Sequence, residues 1–569
     1  MSKPGASQIE PTVDAGVLER AILCMPPFPG TRPRGSPRRR PYGSAPVRSP
    51  REVIEICKAV EEAGVGGAFW ASPPALPRAS VLVRAHPGLR PPLLAEIMRR
   101  GQGRSMLVSF PDGKPRSKAA RPVGVRHLIG DHDAWSLISL ADHIIASPND
   151  QLALLAAAGG REVQNAATGM SIDIEEARSR FLHMVDAFEY ADPFDGSEID
   201  VIGWISILGR WRAEIDSNRA IASVAGIRRW KSGTLKQLLW SDQRPKLTSS
   251  SGVARTPIDK SIALWPSRAP RDLLQNAANA GVNITRIEDG FIRSVGLGTL
   301  LVPPCSIVVD RLGIYYDPSR PSDLEQILSE THFSAALLQR AGALVRALVE
   351  GGITKYAAGA ARGVALPPAT RRILVPGQVE DDQSVRLGAA GVSGNLDLLR
   401  RTRLAEPNAW IAYRPHPDVA SGLRKGHLAE MEALRFADAV IGAGAMSDLL
   451  DQVDGVHVLT SLAGFEALLR GREVFTHGQP FYAGWGLTRD LAAPIARRRR
   501  ELTLLELVAG SLILYPRYLD PLTRLPCPPE ILVQRHTAAP RIRPTVLNQL
   551  RSYQGKARLL GRRLAAALG

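Results

Sequence analysis

The chain has 569 residues, too many for one hydrophobic core, and its 44% apolar content fits a folded protein of roughly two to four domains. Lys and Arg (72) outnumber Asp and Glu (55), and the resulting net charge of +17 points to an anionic partner: nucleic acid, an anionic membrane face or a phosphorylated substrate. No apolar run approaches the ~18 residues of a membrane span and no secretory pattern opens the chain; the four dispersed cysteines (Cys24, Cys57, Cys305, Cys527) lack metal spacing, so a reduced cytoplasmic protein is expected.

Residues 1–50 read as a disordered arm, because Gly30–Pro50 is packed with Pro, Gly, Ser and Arg and has almost nothing to bury. From Arg51 helical and strand patterns alternate. Ile54–Ala63, Pro91–Arg100 and Gln151–Ala158 read as helices; Val81–Arg84, Ser105–Phe110 and His143–Ser147 read as strands. Such alternation predicts a parallel sheet in an α/β layer over residues 51–170. Residues 171–235 read as a helical connector whose Trp204, Trp211 and Trp230 form a core stripe.

An internal echo follows. Val83-Arg84-Ala85-His86-Pro87 resembles Tyr413-Arg414-Pro415-His416-Pro417, Arg161-Glu162-Val163 resembles Arg472-Glu473-Val474, and Tyr190-Ala191-Asp192-Pro193 resembles Tyr518-Leu519-Asp520-Pro521, all in the same order. From Val163 to Asp192 the first copy has 29 residues, against 46 from Val474 to Asp520 in the second; the difference corresponds to the aromatic run FYAGWG. The acidic motifs of the second half have no counterpart in residues 1–225, so the first copy reads as a single lobe without chemistry.

The second half carries the chemistry. The strand Asn283–Ile287 runs into Glu288-Asp289-Gly290-Phe291-Ile292-Arg293, two carboxylates and an Arg suited to gripping a charged ligand at a strand end. Gly296-Leu297-Gly298 is a poor dinucleotide fingerprint, because Pro303-Pro304 follows in place of a helix. After the strand Cys305–Asp310 and two helices, the apolar run Ile373-Leu374-Val375 breaks at Pro376-Gly377 and opens into Gln378-Val379-Glu380-Asp381-Asp382. Three carboxylates beyond a strand end are costly to hold together unless they bind a cation or do chemistry; a solvated acidic loop is the plain alternative. The strand Trp410–Tyr413 ends in Arg414-Pro415-His416, which can hold a phosphate and donate a proton to it. Thr460 and Ser461 read as caps of a helix whose free amides make an anion site, and Phe481-Tyr482-Ala483-Gly484-Trp485-Gly486 reads as a loop lining a sugar or base pocket. Over Leu547–Ala567 apolar residues recur every three or four positions beside Arg551, Lys556, Arg558, Arg562 and Arg563, the pattern of a basic amphipathic helix for an anionic membrane surface.

Taken together, EDGFIRSVGLG, GIYYDPSRPSDLE, ILVPGQVEDD, YRPHPDV, TSLAGFEALLRG and QPFYAGWGLT, spread from about Trp230 to Thr523, resemble the KpsC-type capsule polysaccharide proteins of Gram-negative bacteria. The resemblance implies an α/β, GT-B-like glycosyltransferase with two Rossmann-like lobes over residues 236–530, preceded by a degenerate Rossmann-like lobe and followed by the basic helix of 531–569. It implies a retaining β-Kdo transferase that takes CMP-Kdo as donor, needs no cofactor or metal, and builds on a phosphatidylglycerol-type lipid-linked acceptor at the cytoplasmic face of the inner membrane, beside other capsule export proteins and without nucleic acid. The family places its nucleophile at the second Asp of QVEDD, here Asp382. Glu288 is then the candidate base, with Asp289 and Glu380 as rivals; His416 is the third catalytic candidate. Arg293, Lys355, Gln378, Arg414, Thr460, Ser461 and Glu466 are candidates for donor binding, and Asp289, Asp381, Tyr482 and Trp485 for the acceptor or pocket. Because the first copy lacks the motifs, one intact module is expected; a catalytically idle lipid or glycan scaffold of the export machinery is the alternative.

Overall fold

The computed structural model describes residues 21–41, 43–85, 105–111, 125–243, 245–269, 272–292, 303–353, 364–420 and 424–538. The chain forms two compact units, one of Met1–Arg219 with Leu239–Arg244, the other of Ala220–Leu238 with Pro245–Gly569. None of the described helices is long and apolar enough to cross a membrane.

In the first unit, strand β1 (Arg38–Arg39) is followed by the helix Pro50–Ala63 and by β2 (Ala79–Arg84), β3 (Met106–Phe110), β4 (Val125–Ile129), β5 (Ala141–Ala146) and β6 (Val163–Asn165). Strands β2 to β6 form a parallel sheet in the order β4-β3-β2-β5-β6. That order reverses direction between β2 and β5, as in half of a doubly wound fold. The helix Pro50–Ala63 starts where Ser49 and Glu52 form a capping box and stops at Gly64, whose φ of 61° only glycine adopts cheaply. The expected helix Pro91–Arg100 and His86 lie outside the described residues.

Two sequence expectations change here. Residues 21–41 and 43–50, read as part of a disordered arm, are packed: Ile22, Leu23 and Phe28 are buried, and Phe28 lies edge-on to Trp211 at 5.5 Å. The arginines that looked solvated have partners, Arg40 on Glu189 at 3.3 Å and Arg48 on Asp186 at 2.8 Å, and β1 pairs with β7 (Phe188–Ala191). Residues 171–235 are likewise no connector. The helices Ile174–Asp186 and Val201–Asn218 belong to the first unit, where Trp204 and Trp211 are fully buried and the Trp204 indole donates to the Leu23 carbonyl at 2.8 Å. From Ala220 onward the chain enters the second unit through β9 (Ile221–Ala225).

The second unit holds two sheets. The first contains β9, β10 (Lys246–Leu247), β11 (Ser261–Leu264), β12 (Asn283–Asp289), β13 (Ser306–Asp310), β20 (Pro516–Leu519) and β21 (Pro526–Cys527), in the order β10-β9-β11-β12-β13-β20-β21. Its first four strands are parallel and the rest antiparallel. The second contains β14 (Arg372–Pro376), β15 (Trp410–Arg414), β16 (Ala439–Val440), β17 (Gly455–Val458), β18 (Glu473–Thr476) and β19 (Arg489–Asp490), all parallel, in the order β16-β15-β14-β17-β18-β19. Numbered along the chain this is 3-2-1-4-5-6, the doubly wound order of a Rossmann-like lobe. Its central strands are near-continuous apolar runs because helices cover both faces, and Ile373, Val375, Ile411 and Tyr413 sit in one buried cluster.

The internal echo is visible in three dimensions, with one exception. Tyr190 pairs with Ile199 across the hairpin of β7 and β8 (Glu198–Ile199), and Tyr518 pairs with Cys527 across β20 and β21 in the same register. In both turns the Asp caps: Asp192 accepts from the Phe194 amide at 2.7 Å and Asp520 from the Leu522 amide at 3.1 Å. Both tyrosine hydroxyls donate backwards to a backbone carbonyl, Val185 at 2.9 Å and Leu512 at 2.7 Å. Arg161-Glu162-Val163 and Arg472-Glu473-Val474 also lead into equivalent fifth strands. Arg84 and Arg414 do not correspond. Arg84 ends the first strand of its sheet, whereas Arg414 ends the second strand of the other.

Candidate active site

The reversal of strand order in the second lobe falls between β14 and β17, and doubly wound sheets bind their ligands outside the carboxyl ends of the strands at such a point. Gln378, just past β14, bridges that gap: its amide nitrogen donates to the Thr460 hydroxyl at 3.0 Å, and its amide oxygen accepts from the Thr460 backbone at 2.9 Å. Asn395 holds the Gln378 backbone from the other side, accepting from its N–H and donating to its carbonyl, each at 2.8 Å. Gly377 precedes it because the Tyr413 phenol lies where a Cβ would be. Gln378 and Thr460, expected to touch the donor, therefore spend these groups on each other. Ser461 caps the helix Leu462–Leu468, its hydroxyl accepting from the Ala463 amide at 3.2 Å. Glu466 is buried within that helix.

The acidic turn sorts its carboxylates. Glu380 accepts from the Asn395 amide at 2.9 Å, which ties one of its oxygens to the helix Gly394–Ala405. Asp381 is exposed and paired with Arg424 at 3.1 Å. Asp382, likewise exposed, stands at the start of the helix Gln383–Gly388, makes no side-chain capping bond to it, and among the described residues accepts from the Ser384 hydroxyl at 3.1 Å. Its charge is the least of the influences on Glu288, which stands at the end of β12 in the other sheet. Burial, then the charges of Asp289 and Asp382, push the Glu288 carboxyl up to about 7, against the pull of Lys231. Lys231 binds Asp289 at 3.0 Å and lies 3.4 Å over the face of Trp265. Nothing in the sequence singled out Lys231. Its neighbour Trp230 was read as core, and no motif joins Lys231 to Asp289; the only signal was a basic residue beside a tryptophan at the edge of the recognised region.

The remaining expectations divide. The His416 ring accepts the Asp418 amide on Nδ1 at 3.1 Å, which leaves the proton of the neutral ring on Nε2. Arg414 braces a loop: its guanidinium donates to the carbonyls of Ile441 (2.9 Å), Ala443 (2.6 Å) and Gly444 (2.8 Å) in place of a phosphate. Tyr482 and Trp485 do not line a pocket. Both are fully buried, Tyr482 donating to the Ser461 carbonyl and Trp485 to the Phe481 carbonyl at 2.9 Å. The aromatic loop is a core element, affordable because each polar tip has a partner. Its Phe481 stacks on Phe291 at 4.5 Å, with Tyr315 edge-on to Phe291 at 4.8 Å. Arg293 and Lys355 lie outside the described residues.

Parallel-stranded Rossmann-like sheets in doubly wound order define a glycosyltransferase-like α/β fold. Residues 260–347 and 332–518 match the family model for capsule polysaccharide biosynthesis proteins. The chain is 43% identical over 332 residues to the capsule polysaccharide modification protein LipA of Neisseria meningitidis serogroup A, a match covering 58% of this chain and 46% of that protein. It thus spans about half the length of that curated relative. Two solved structures from Thermosulfurimonas dismutans, described as KpsC beta Kdo 2,7 transferase and KpsC beta Kdo 2,4 transferase, are each 34% identical over 56% of this chain and cover 99% and 98% of their own, with TM-scores of 0.46 and 0.49. Over residues 260–518 the chain thus matches the capsule polysaccharide biosynthesis family.

Proposed function

We propose that the second unit is a retaining transferase that moves a β-linked Kdo residue from CMP-Kdo to a lipid-linked glycan acceptor. What supports this reading is the match of residues 260–518 to the capsule polysaccharide biosynthesis family, together with Asp382 beyond the end of β14 and Glu288 at the end of β12, its carboxyl pushed up to about 7 chiefly by burial. In the first step an Asp382 oxygen attacks the anomeric carbon, the bond from that carbon to the CMP phosphate breaks, and CMP departs with the electron pair. The Nε2 proton of His416 is suited to hydrogen bonding with the departing phosphate, whose charge grows as the bond breaks. In the second step Glu288 takes the proton of the acceptor hydroxyl, which attacks the same carbon and frees Asp382; two inversions return the β configuration. Lys231, neutralising Asp289, keeps the floor of the site from carrying three unopposed carboxylates.

The test is to incubate the full chain with CMP-Kdo and a Kdo-capped phosphatidylglycerol-type lipid and weigh the products. A gain of one Kdo with retained anomeric configuration is expected. No gain with any acceptor tried, together with no release of CMP, refutes the reading in favour of a glycan-binding scaffold.

A further inference from the structure

The carboxyl edge of the first sheet in the second unit carries a stack of three side chains that no sequence motif joins. Strands β9, β11 and β12 are parallel neighbours; the segments after β9 and β11 and the end of β12 each contribute one residue. Trp265, just past β11, is 3% exposed, and its amide donates at 3.2 Å to the carbonyl of Ala225, which ends β9. Lys231 follows β9 in the short turn Arg229–Lys231 and is 8% exposed. Its ammonium lies 3.4 Å from the centre of the Trp265 ring and 3.0 Å from the carboxylate of Asp289, the last residue of β12. The cation is thus clamped between a ring and a carboxylate.

Glu288 shares this frame. Strand β11 pairs with β12 as far as Leu264 and Arg286, whereas β13 continues alongside and pairs Val308 with Glu288 and Ile307 with Asp289. The Asp289 amide donates to the Glu288 carboxylate at 3.1 Å, so the two acids are tied to each other as well as to the sheet. Burying a cation is costly without a counter-charge, and so is burying two adjacent acids without a cation. The charges that bear on Glu288 come from Asp289 on its own strand, Lys231 after β9 and Asp382 after β14, and Lys231 is the cation among them. Tyr315 and Tyr316, after β13, feel the Glu288 charge and are kept protonated by their burial.

We infer that Trp265 and Lys231 position the proton acceptor of the transfer: Lys231, clamped on the Trp265 ring, offsets the Asp289 charge that would otherwise keep the adjacent Glu288 protonated. This inference rests on the reading of the second unit as a transferase with Glu288 as its base. A base must lose its proton near the working pH, and two uncompensated acids side by side would delay that loss. Lys231 acts through Asp289, so its effect falls on the pH at which the base becomes available.

The test is Lys231→Met in the full chain, which removes the charge and keeps an unbranched side chain over Trp265. The pH of half-maximal kcat with CMP-Kdo and a Kdo-capped lipid, expected at about 7 in wild type, should rise by roughly one pH unit, the size of a lost opposite charge nearby. Adding Asp289→Asn should bring it back toward wild type, because the charge that needed offsetting is gone. A second readout needs no substrate. The stability gap between Glu288→Gln and its parent opens as pH rises through about 7, and in the Lys231→Met background it should open at a correspondingly higher pH. A melting temperature lowered equally at every pH, with the rate profile and the gap unmoved, overturns the inference and leaves Lys231 a structural residue. A double variant displaced as far as Lys231→Met overturns it too, since the effect would not run through Asp289. If wild type transfers nothing, the transferase reading fails; a gap that still moves then keeps the link from Lys231 to Glu288, and one that stays put removes it as well.

Discussion

Glu288→Gln separates a working carboxyl from an incidental one. In the unfolded chain this group titrates near 4.5, whereas in the folded protein burial and the neighbouring charges of Asp289 and Asp382 hold it at about 7. Between those values the folded state binds the extra proton. Stability contributed by that proton is complete below about pH 4.5 and is lost as pH rises through 7. At 1.36 kcal/mol per unit, and with some solvent reaching the half-buried group, the loss is about 2–3 kcal/mol by pH 8. Gln cannot ionise, so the variant should match wild type at pH 4.5 and exceed it at pH 8 by that amount, roughly 3–4 °C in the calorimetric transition of the second unit. Transfer should behave oppositely. Wild-type kcat should rise with pH through about 7 as the base deprotonates and then level, and the variant should lose at least about a hundredfold and show no inflection. Calorimetry at pH 4.5 and 8 with a pH–rate profile reads both. A variant whose stability parallels wild type from pH 4.5 to 8 would refute the assigned environment of Glu288, whatever its activity.

Asp382→Asn should retain CMP affinity and lose roughly a thousandfold in transfer, and wild type given a poor acceptor should show a Kdo mass on the peptide containing Asp382; an adduct on Asp381 would reassign the nucleophile. His457 and His477 are hydrogen-bonded at 3.0 Å, and burial lowers them to about 3 and about 4, so both stay neutral in the fold while the unfolded chain takes up protons below about 6.5. The stability they supply is present above that pH and lost as pH falls through 4 toward 3; His477→Gln should reduce the loss between pH 6.5 and 4.5 by about 2 kcal/mol, read from urea melts at the two pH values. Arg535 holds the fully buried Asp520 at 3.1 Å, and Arg535→Ala, which strands that carboxylate, should cost about 3–5 kcal/mol in denaturant unfolding without changing KM for the donor. Deleting Thr545–Gly569 should release the chain from anionic vesicles in a sedimentation assay and leave transfer to a soluble acceptor intact; unchanged vesicle binding would remove the membrane role of the basic helix.

Local rules made much of this protein legible. Alternation and apolar runs located β2, β5, β14 and β15 within a residue or two, and the helix Gln151–Ala158 followed from its apolar run. The strands that end at or before Glu288, Asp382 and His416 were readable because each is a short apolar run broken by a turn or a charged residue. Misreadings arose where a residue's neighbours come from far along the chain. Arg40 and Arg48 looked solvated until the helix and strand around Asp186 and Glu189 supplied their counter-charges.

The sequence by itself determined the element types, the doubly wound alternation and the residue kinds available to the site. Only the tertiary structure decided which of them meet. Gln378 and Thr460 satisfy each other because β14 and β17 are neighbours in the sheet though not in the chain, and Arg414 is spent on a loop after β16 for the same reason. Tyr482 and Trp485 show the limit most clearly: an aromatic–glycine run has the same composition whether it lines a cavity or fills a core. Only the acceptors offered by Ser461 and Phe481 let its polar tips go dry. Glu288 is raised first by its burial and then by the adjacent Asp289, with Lys231 and Asp382 acting from far along the chain, and burial is set by the packing of the whole unit, which no stretch of sequence encodes.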